Sequence, residues 1–499
     1  MVEIKPLDDR GGPLSQVQPV AMTEAKEPNR PRRVLGFRDL VFFYVVTGIS
    51  LRWIATAAAA GPSSVVIWAG AWLWFYTPLA LSVIELSSRY PNEGGLYVWT
   101  KHAFGDFSGF MCAWTYWTSN LPYFPAVLYF AASNALFMRP ASWGRLSNNA
   151  TFYIVFSLLA LAAATFLNVI GLEVGKWLHN LGAIAMCAPV LIVIGMAVLA
   201  WHRFGPATAF TRHTMIPGTR LHDFIFWSVL TFALSGCETA SFMGEEIKNA
   251  RRLIPIGLLV GGAIVTFCYT LGTIGVLVAL PQAEVSDLQG LMQAVARTAQ
   301  RVGLEAVIPV AALLIALSNL GAASAYLAAV ARLPFVAGID RFLPPAFGAL
   351  HPRWRTPWIA LLTQFLCGVV FIYLGQAGTT VRGAYEVLVS MGVITYFIPY
   401  LYLFAAMFKL QSQPAQPEVI RVPGGKPVAV LVSIVGFLTS SVTILLSLFP
   451  PPDEPNKTLA LLKIVGLTGL LLAVGVWIYF TGKKRAVTTQ VAGSTTAHP

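Results

Sequence analysis

Residues 37–60 read FRDLVFFYVVTGISLRWIATAAAA, a block whose only charged residues are Arg38, Asp39 and Arg52. About 20 apolar residues in a helix cross the roughly 30 Å hydrocarbon core of a bilayer. Because lipid cannot satisfy backbone N–H and C=O groups, such a block forms either a helix or part of a closed barrel. The apolar residues run continuously rather than alternating, which predicts a membrane-spanning helix.

Similar blocks fill most of the chain. Charged residues make up 11% of the 499 positions, whereas soluble domains carry about 25%. Hydrophobic residues make up 56%, and the mean hydropathy is +0.67. The sequence therefore predicts an all-α integral membrane protein that lies in a lipid bilayer. We predict twelve spans, at 37–60, 64–88, 107–137, 151–171, 176–201, 224–246, 254–280, 304–335, 357–375, 385–410, 427–449 and 459–481.

The placement of basic residues predicts the orientation of these spans. If the N-terminus is cytoplasmic, about two thirds of the 34 lysines and arginines fall on the inner side, as the positive-inside rule requires. Both termini are then cytoplasmic. The same bias explains the net charge of +12 without a nucleic-acid partner.

Several other functional classes lack their sequence signals. All five cysteines fall inside predicted spans, and the histidines show no metal-ligand spacing, so we predict no metal site. The chain has no nucleophile elbow of the GxSxG type and no phosphate-binding GxxxxGK[ST] loop. We therefore predict no cofactor and no enzymatic activity.

Two ionisable residues lie deep within predicted spans, Arg52 in span one and Glu238 in span six. Such residues are costly in a bilayer and are functional candidates by default. Each lies close to a glycine and a serine that weaken its helix, Gly48 and Ser50 in span one and Ser235 and Gly236 in span six.

These two weak points also correspond in position. They are five spans apart, so a second five-helix unit that starts at span six is inverted relative to the first. Interrupted helices at matching positions of inverted halves indicate a transporter site near the middle of the membrane. Their free backbone N–H and C=O groups bind charged ligand groups through partial charges.

Three motifs resemble segments of the amino acid–polyamine–organocation permeases. The first is ELSSRYPNEGGLYVW at 85–99 with KHAFG at 101–105, and the second is SGCE at 235–238 with GEEIKNARRLIP at 244–255. The third is RLP at 332–334, followed by DRFLPP at 340–345, HP at 351–352 and TP at 356–357. The resemblance covers about residues 34–481.

The resemblance implies a five-plus-five inverted-repeat core with broken helices one and six, and alternating access around a central site. The predicted organisation has a cytoplasmic disordered tail at 1–36 and a permease domain at 37–481, followed by a second cytoplasmic tail at 482–499. Within the permease domain, we expect repeat one at 37–201, repeat two at 224–410 and peripheral helices at 427–481.

In these permeases, the substrate carboxylate binds the backbone of broken helix one and the amino group binds that of helix six. The substrate-binding residues implied for this chain are Thr47, Gly48, Ile49, Ser50, Leu51, Arg52, Ala233, Ser235, Gly236, Cys237, Glu238 and Thr239. Four further candidates at mid-span positions are Tyr116, Asn120, Asn319 and Tyr396. Tyr116 and Asn120 are four residues apart, so a continuous helix places them on one face.

The roles of the two buried charges stay open at this point. Either Arg52 faces the site, where it favours an acidic or carboxylate-anchored substrate, or it pairs with Glu238, which is the interpretation we prefer from sequence. Glu238 is also the candidate for proton coupling, because burial disfavours the charged form of a carboxyl group. Sodium coupling leaves little trace in a sequence and stays an alternative.

We therefore expect a secondary transporter of amino acids, either proton-coupled or an exchanger, in a bacterial inner membrane. A permease for polyamines or other amines is the alternative, and it calls for more carboxylates and aromatic residues at the site. A membrane sensor of amino acids is a further alternative. The sequence does not predict the oligomeric state.

Overall fold

The computed structural model describes residues 31–286, 289–376, 381–414, 416–449 and 457–495, which fold into helices joined by loops. The α-helices are α1 Phe37–Gly48, α2 Leu51–Ala59, α3 Ser63–Ala71, α4 Thr77–Arg89, α5 Leu96–Phe104, α6 Asp106–Ser119, α7 Tyr123–Ala135, α8 Pro140–Trp143, α9 Ala150–Ile170, α10 Leu172–Phe204, α11 Arg212–Met215, α12 Leu221–Ala233, α13 Ala250–Ala279, α14 Gly290–Val302, α15 Val307–Val330, α16 Arg332–Ile339, α17 Trp358–Gln376, α18 Val381–Leu410, α19 Gly425–Leu446 and α20 Lys457–Thr495. Shorter segments of 3-10 or π-helix occur at Trp72–Tyr76, Leu136–Met138, Gly144–Leu146, Thr239–Glu246, Gln282–Glu284 and Pro345–Gly348.

Helices of membrane-spanning length dominate the fold. Within the described residues, nine helical segments are long and apolar enough to cross a bilayer. They are Phe37–Ala59, Ser63–Arg89, Asp106–Met138, Ala150–Ile170, Leu172–Phe204, Ala250–Ala279, Val307–Ile339, Gly392–Leu410 and Gly425–Leu446. Shorter apolar helices lie at Leu221–Ala233 and Trp358–Tyr373. The prediction of an all-α membrane protein is confirmed.

The centre of the bundle is a tight packing of long helices. Helix α10 packs against α13, α15 and α1, and α15 also packs against α7. At the crossing of α10 and α15, a Cβ atom on Gly182 would lie 2.7 Å from the Cα of Gly321. Small residues let membrane helices approach this closely, which increases their van der Waals contact.

The third predicted span, 107–137, is not one helix. Helix α6 ends at Ser119 and α7 begins at Tyr123, with Asn120, Leu121 and Pro122 between them. Pro122 has no backbone N–H and cannot continue the hydrogen-bond ladder of a helix. A break in this span was not predicted.

The fold extends past two predicted bounds, at 37 and at 481, while residues 1–30 and 496–499 of the predicted tails lie outside the described residues. The backbone N–H groups of Val34 and Leu35 donate to the Glu246 carbonyl at 2.9 and 3.1 Å, and Leu35 is buried. The N-terminal segment therefore joins the fold before position 37. Helix α20 continues to Thr495, beyond the predicted end of the last span at 481.

We call the end of the bundle that carries Val34 and Leu35 the N-terminal end. The loop at 90–95 lies there against the 3-10 turn Thr239–Glu246, with the Gly94 N–H donating to the Phe242 carbonyl at 3.0 Å. Four α-helices lie outside the predicted spans: α5 beside this loop, α14, which precedes α15, and the short helices α8 and α11.

Candidate binding site

Two interrupted helices meet near the centre of the bundle. Helix α1 ends at Gly48, Ile49 and Ser50 are extended, and α2 begins at Leu51. Helix α12 ends at Ala233. Helical structure resumes only at the 3-10 turn that begins at Thr239.

Gly236 sets the geometry of the second break. Its φ of +101° lies in the left-handed region, which side chains with a Cβ rarely adopt. A Cβ atom there would lie 2.7 Å from the Tyr326 hydroxyl oxygen and 3.2 Å from the Thr47 carbonyl oxygen. Glycine therefore allows the two broken segments to lie in contact.

The hydroxyl group of Tyr269, on α13, joins the two breaks. It accepts a hydrogen bond from the Ser50 N–H at 2.9 Å. The same hydroxyl group can donate its proton either to the Gly48 carbonyl, with an O···O distance of 3.0 Å, or to the Ala233 carbonyl, at 3.1 Å. The Tyr269 ring stacks on Trp68 with a centroid separation of 4.6 Å, which fixes its position.

Two more tyrosines occupy backbone groups at the breaks. Tyr326, on α15, donates to the Thr47 carbonyl at 2.9 Å, and the Gly236 N–H donates to the Tyr400 hydroxyl at 3.2 Å. Buried backbone polar groups need such partners, because an unpaired one costs free energy. At these breaks, neutral hydroxyl groups take the place of the missing helical bonds.

A cavity of about 90 Å³ lies against both breaks. One water molecule needs roughly 10–15 Å³ on this scale, so the cavity has room for several. Backbone and side chains from both breaks, α6, α7, α13, α15 and α18 form its wall. The lining residues are Thr47, Gly48, Ile49, Ser50, Arg52, Trp53, Ser119, Asn120, Tyr123, Ala126, Val127, Phe130, Phe232, Ala233, Ser235, Tyr269, Asn319, Tyr326, Gly392 and Tyr396.

The structure brings most of the candidate residues to this cavity. The candidates that line it are Thr47, Gly48, Ile49, Ser50, Arg52, Asn120, Ala233, Ser235, Asn319 and Tyr396. The candidates outside the lining are Leu51, Tyr116, Gly236, Cys237, Glu238 and Thr239. All of the second group except Gly236 have buried side chains, and Gly236 contributes only its backbone.

Glu238 lies behind the cavity wall, in a group of tyrosines. Its Oε1 accepts hydrogen bonds from Tyr116 at 2.5 Å, Tyr400 at 3.0 Å and Tyr396 at 3.3 Å. The Tyr116 and Tyr396 hydroxyl groups are 2.7 Å apart. Tyr396 also lines the cavity, so this one residue contacts both the cavity and Glu238.

Arg52 and Glu238 do not pair. Among the residues that the structure describes, no ion pair joins them, and the hydrogen bonds to Glu238 come from tyrosines, all to its Oε1. The guanidinium of Arg52 lies over the Trp53 ring, 4.6 Å from its centroid, and lines the cavity. The preferred interpretation from sequence was therefore wrong, because Glu238 lies on the far side of Tyr396.

Of Tyr116 and Asn120, only Asn120 lines the cavity. Helix α6 ends at Ser119, and the Asn120 amide folds back onto the Tyr116 carbonyl at 2.8 Å. Asn120 reaches the cavity while Tyr116 reaches Glu238.

Sequence reasoning missed several aromatic lining residues. They are Trp53, Tyr123, Phe130, Phe232, Tyr269 and Tyr326. Tyr123 and Phe130 follow the break at Pro122, and this proline is the sequence signal that could have revealed the break. Tyr269 lies in a span that the resemblance does not assign to the site, and its sequence neighbours give no signal.

Comparison with known proteins agrees with this geometry. The sequence profile of the amino acid permease family matches residues 35–470, and the chain belongs to that family, within the amino acid–polyamine–organocation superfamily. The protein is a multi-pass membrane protein of a transporter family.

Its relatives are bacterial transporters. An uncharacterised transporter of Legionella pneumophila is 29% identical over 459 residues, which cover 90% of this chain and 97% of the relative. A probable agmatine/putrescine antiporter of Lactococcus lactis is 22% identical, covering 89% and 93%. The serine/threonine exchanger of Bacillus subtilis is 24% identical, covering 67% and 72%.

Proposed function

We propose that this protein is a secondary active transporter of small amino acids that works by alternating access around the cavity at the two helix breaks. The observation that carries the proposal is the position of this cavity. It contacts the ends of two interrupted helices, and Arg52 is the charged residue of its lining among the residues described. A zwitterion needs one positive and one negative surface, and the two breaks supply both.

The carboxylate of the substrate binds at the first break. The first two N–H groups of α2, those of Leu51 and Arg52, precede the first bond of the helix, which the Trp53 N–H makes to the Ser50 carbonyl, and they carry partial positive charge. The side chain of Arg52 adds a full positive charge at the cavity wall. Together they favour a substrate that is anchored by a carboxylate.

The amino group of the substrate binds at the second break. The Ala233 carbonyl ends α12, and its contact with Tyr269 can be exchanged for a substrate N–H. Beyond Tyr396, the Glu238 carboxylate supplies a negative charge behind the wall. The small volume of the cavity favours a short side chain.

We further propose the membrane arrangement that the sequence predicts. It has twelve spans, repeat one at 37–201, repeat two at 224–410 and peripheral helices at 427–481, with both termini in the cytoplasm of a bacterium. The placement of basic residues supports this orientation. The N-terminal end of the bundle then faces the cytoplasm.

Glu238 is the proposed coupling residue for proton symport or for proton-sensitive exchange. It is fully buried, and its carboxylate accepts a hydrogen bond from Tyr396, a residue of the cavity. Glu238→Gln should make uptake independent of pH, measured from pH 5 to 8 in proteoliposomes. If uptake by a folded Glu238→Gln variant keeps the pH profile of the parent protein, Glu238 does not take part in proton coupling.

An amine permease is the second candidate, because one observation favours it. Seven aromatic side chains line the cavity, and aromatic faces attract organic cations. The lining residues described include no carboxylate, however, and Arg52 would repel a dication. An amino acid therefore fits better than a polyamine.

Uptake by the purified protein in liposomes tests the proposal. The panel contains acidic, neutral and basic amino acids together with putrescine and agmatine, with and without a pH gradient, and with liposomes preloaded with each compound. We expect saturable uptake or exchange of a small amino acid. Uptake of amines alone would favour the second candidate, and binding without transport in every format would favour a sensor.

A further inference from the structure

A cluster of buried charges at the N-terminal end of the bundle is separate from the cavity. We call Glu93, Glu246 and Arg332 the ionic lock. Their exposed fractions are 6%, 4% and 1%. They come from the loop at 90–95, the end of the 3-10 turn Thr239–Glu246 and the start of α16. The lock thus ties together three parts of the chain at one end of the molecule.

Arg332 makes side-chain hydrogen bonds to only one of the two carboxylates, that of Glu246. Its Nε donates to Glu246 Oε1 at 2.8 Å, and its Nη2 donates to Glu246 Oε2 at 3.0 Å. Its Nη1 donates to the Ala328 carbonyl. This fork is the bidentate geometry in which an arginine binds a carboxylate most strongly. Glu93 Oε1 is left 3.8 Å from Nε, beyond hydrogen-bonding distance.

Glu93 therefore lacks a donor on one of its oxygens. Its Oε2 accepts the Glu245 N–H at 3.0 Å. Its Oε1 is buried and, among the residues described, has no hydrogen-bond partner. Glu93 Oε1 and Glu246 Oε1 lie beside the same nitrogen, Nε of Arg332, at 3.8 and 2.8 Å, so the two carboxyl groups are neighbours. Two carboxyl groups can form a hydrogen bond only when one of them carries a proton.

The charges around the lock do not neutralise it. One arginine faces two glutamates, and the neighbouring Glu245 adds negative charge. His179, on α10, is close enough to Arg332 and to Asp39 to be affected by their charges, and Asp39 in turn pairs with Lys176. Burial, followed by the charge of Glu246, raises the pKa of Glu93 well above its usual value, against the opposing effect of Arg332.

A second buried pair at this end shows the contrast. Glu85 accepts hydrogen bonds from Arg89 at 3.3 Å, from the Gln411 amide at 2.7 Å and from the Val422 N–H at 2.9 Å. Both of its oxygens have donors, and one arginine balances one glutamate. The ionic lock has one carboxylate more than this pair, and one of its carboxylate oxygens, Glu93 Oε1, lacks a donor among the residues described.

We propose that the ionic lock is a proton-binding site, in which one proton from the solvent is held between the carboxyl groups of Glu93 and Glu246. The bound proton converts one carboxylate to a carboxylic acid and leaves the lock neutral. When water reaches this end of the bundle, hydration stabilises both carboxylates and the proton returns to solvent. A coupling of this release to transport rests on the proposed function, whereas the proton site itself does not.

Infrared spectroscopy of the purified full chain in lipid nanodiscs tests the site, since it detects protonated carboxyl groups directly. We expect a carboxylic acid band at pH 7 that disappears at higher pH. Glu93→Gln should lose this band, whereas Glu418→Gln, which removes an exposed carboxylate paired with Arg251, should keep it. Glu238→Gln should also keep it, which separates the lock from the proposed coupling residue.

A band that persists unchanged in Glu93→Gln would overturn the proposal. Glutamine has the shape of a protonated glutamate and can donate to Glu246, so Glu93→Gln must also fold as well as the parent at pH 7. A variant that fails to fold would contradict the proposal as well. Both outcomes are independent of transport, so they do not depend on whether any substrate is found.

Stability against pH gives a second measurement. A carboxyl group with a raised pKa binds its proton more tightly in the folded state than in the unfolded chain. The bound proton therefore stabilises the fold at low pH, and this stabilisation is lost as the pH rises and the group ionises. Thermal stability should therefore fall as the pH rises from about 4.5, the ordinary value, through the raised pKa of Glu93. Glu93→Gln should show a smaller fall than Glu418→Gln, and equal falls would contradict a raised pKa.

Discussion

The cavity and the ionic lock hold their helices together with different chemistry. Around the cavity, tyrosine hydroxyl groups bind backbone atoms, as Tyr269 binds Ser50 and Gly48. At the lock, Arg332 binds Glu246 through two charged hydrogen bonds. Both regions join parts of the chain that are far apart in sequence, yet one uses neutral groups and the other uses ions.

The difference fits what each region has to do in a transporter. A neutral hydrogen bond contributes about 1 kcal/mol net, so substrate groups can replace it at little cost. A buried ion pair is held more firmly, because separating it in a dry environment leaves uncompensated charge. We infer that the cavity is built for exchange of partners and the lock for two discrete states, dry and hydrated.

The largest effect should come from breaking the lock at its single cation. Arg332→Met leaves two buried carboxyl groups without a counter-charge, and we expect a loss of about 3–5 kcal/mol in stability. The measurement is the thermal unfolding midpoint in detergent, followed by the fraction that stays monodisperse.

Arg251→Met is the matched control for that variant. Arg251 pairs with Glu418, whose side chain is 73% exposed, at the surface of the molecule. An exposed ion pair contributes about 0–1 kcal/mol. Equal midpoints for the two variants would mean that the lock contributes no more than a surface pair.

The comparison also shows what a sequence can and cannot indicate. The breaks were predictable, because Gly48, Ser50 and Gly236 weaken apolar helices in a recognisable pattern. Arg52 and Glu238 were identified by their depth in the spans, but their partners were not. Whether Glu238 meets an arginine or three tyrosines depends on helix packing, which periodicity does not encode.

The lock was invisible in the sequence for a related reason. Glu93, Glu246 and Arg332 lie at predicted span ends and loops, where charged residues are ordinary. Only the folded chain buries them together. Tyr269 was missed likewise, since a tyrosine in an apolar helix is common and its contacts come from three other segments.

The next largest effect should appear at the charged residue of the cavity. Arg52→Met removes the positive charge proposed to face the substrate carboxylate, and hydrogen bonds to charged groups contribute about 1.5–3 kcal/mol. We expect KM for an amino acid substrate to rise roughly 10-fold to 100-fold. Uptake kinetics in proteoliposomes provide the measurement.

Arg52→Lys sharpens that result, because it keeps the charge and loses the planar fork. An intermediate KM would indicate a bidentate contact, and a KM equal to that of Arg52→Met would indicate that position rather than charge matters. If neither variant alters KM, the carboxylate does not bind near Arg52, and the backbone of the first break would have to hold it alone.

The smallest effect should come from a single neutral hydroxyl. Tyr269→Phe keeps the ring stacked on Trp68 but removes the group between Ser50, Gly48 and Ala233. Because waters in the cavity can take over these contacts, we expect a cost of about 1 kcal/mol, or roughly a fivefold change in transport. Tyr129→Phe, which removes a buried hydroxyl that donates to the Ile372 carbonyl at 2.6 Å and does not line the cavity, is the control. If Tyr129→Phe slows transport as much as Tyr269→Phe does, the hydroxyl of Tyr269 holds the fold like any other buried tyrosine, and the distinction between exchangeable cavity contacts and fixed contacts elsewhere fails.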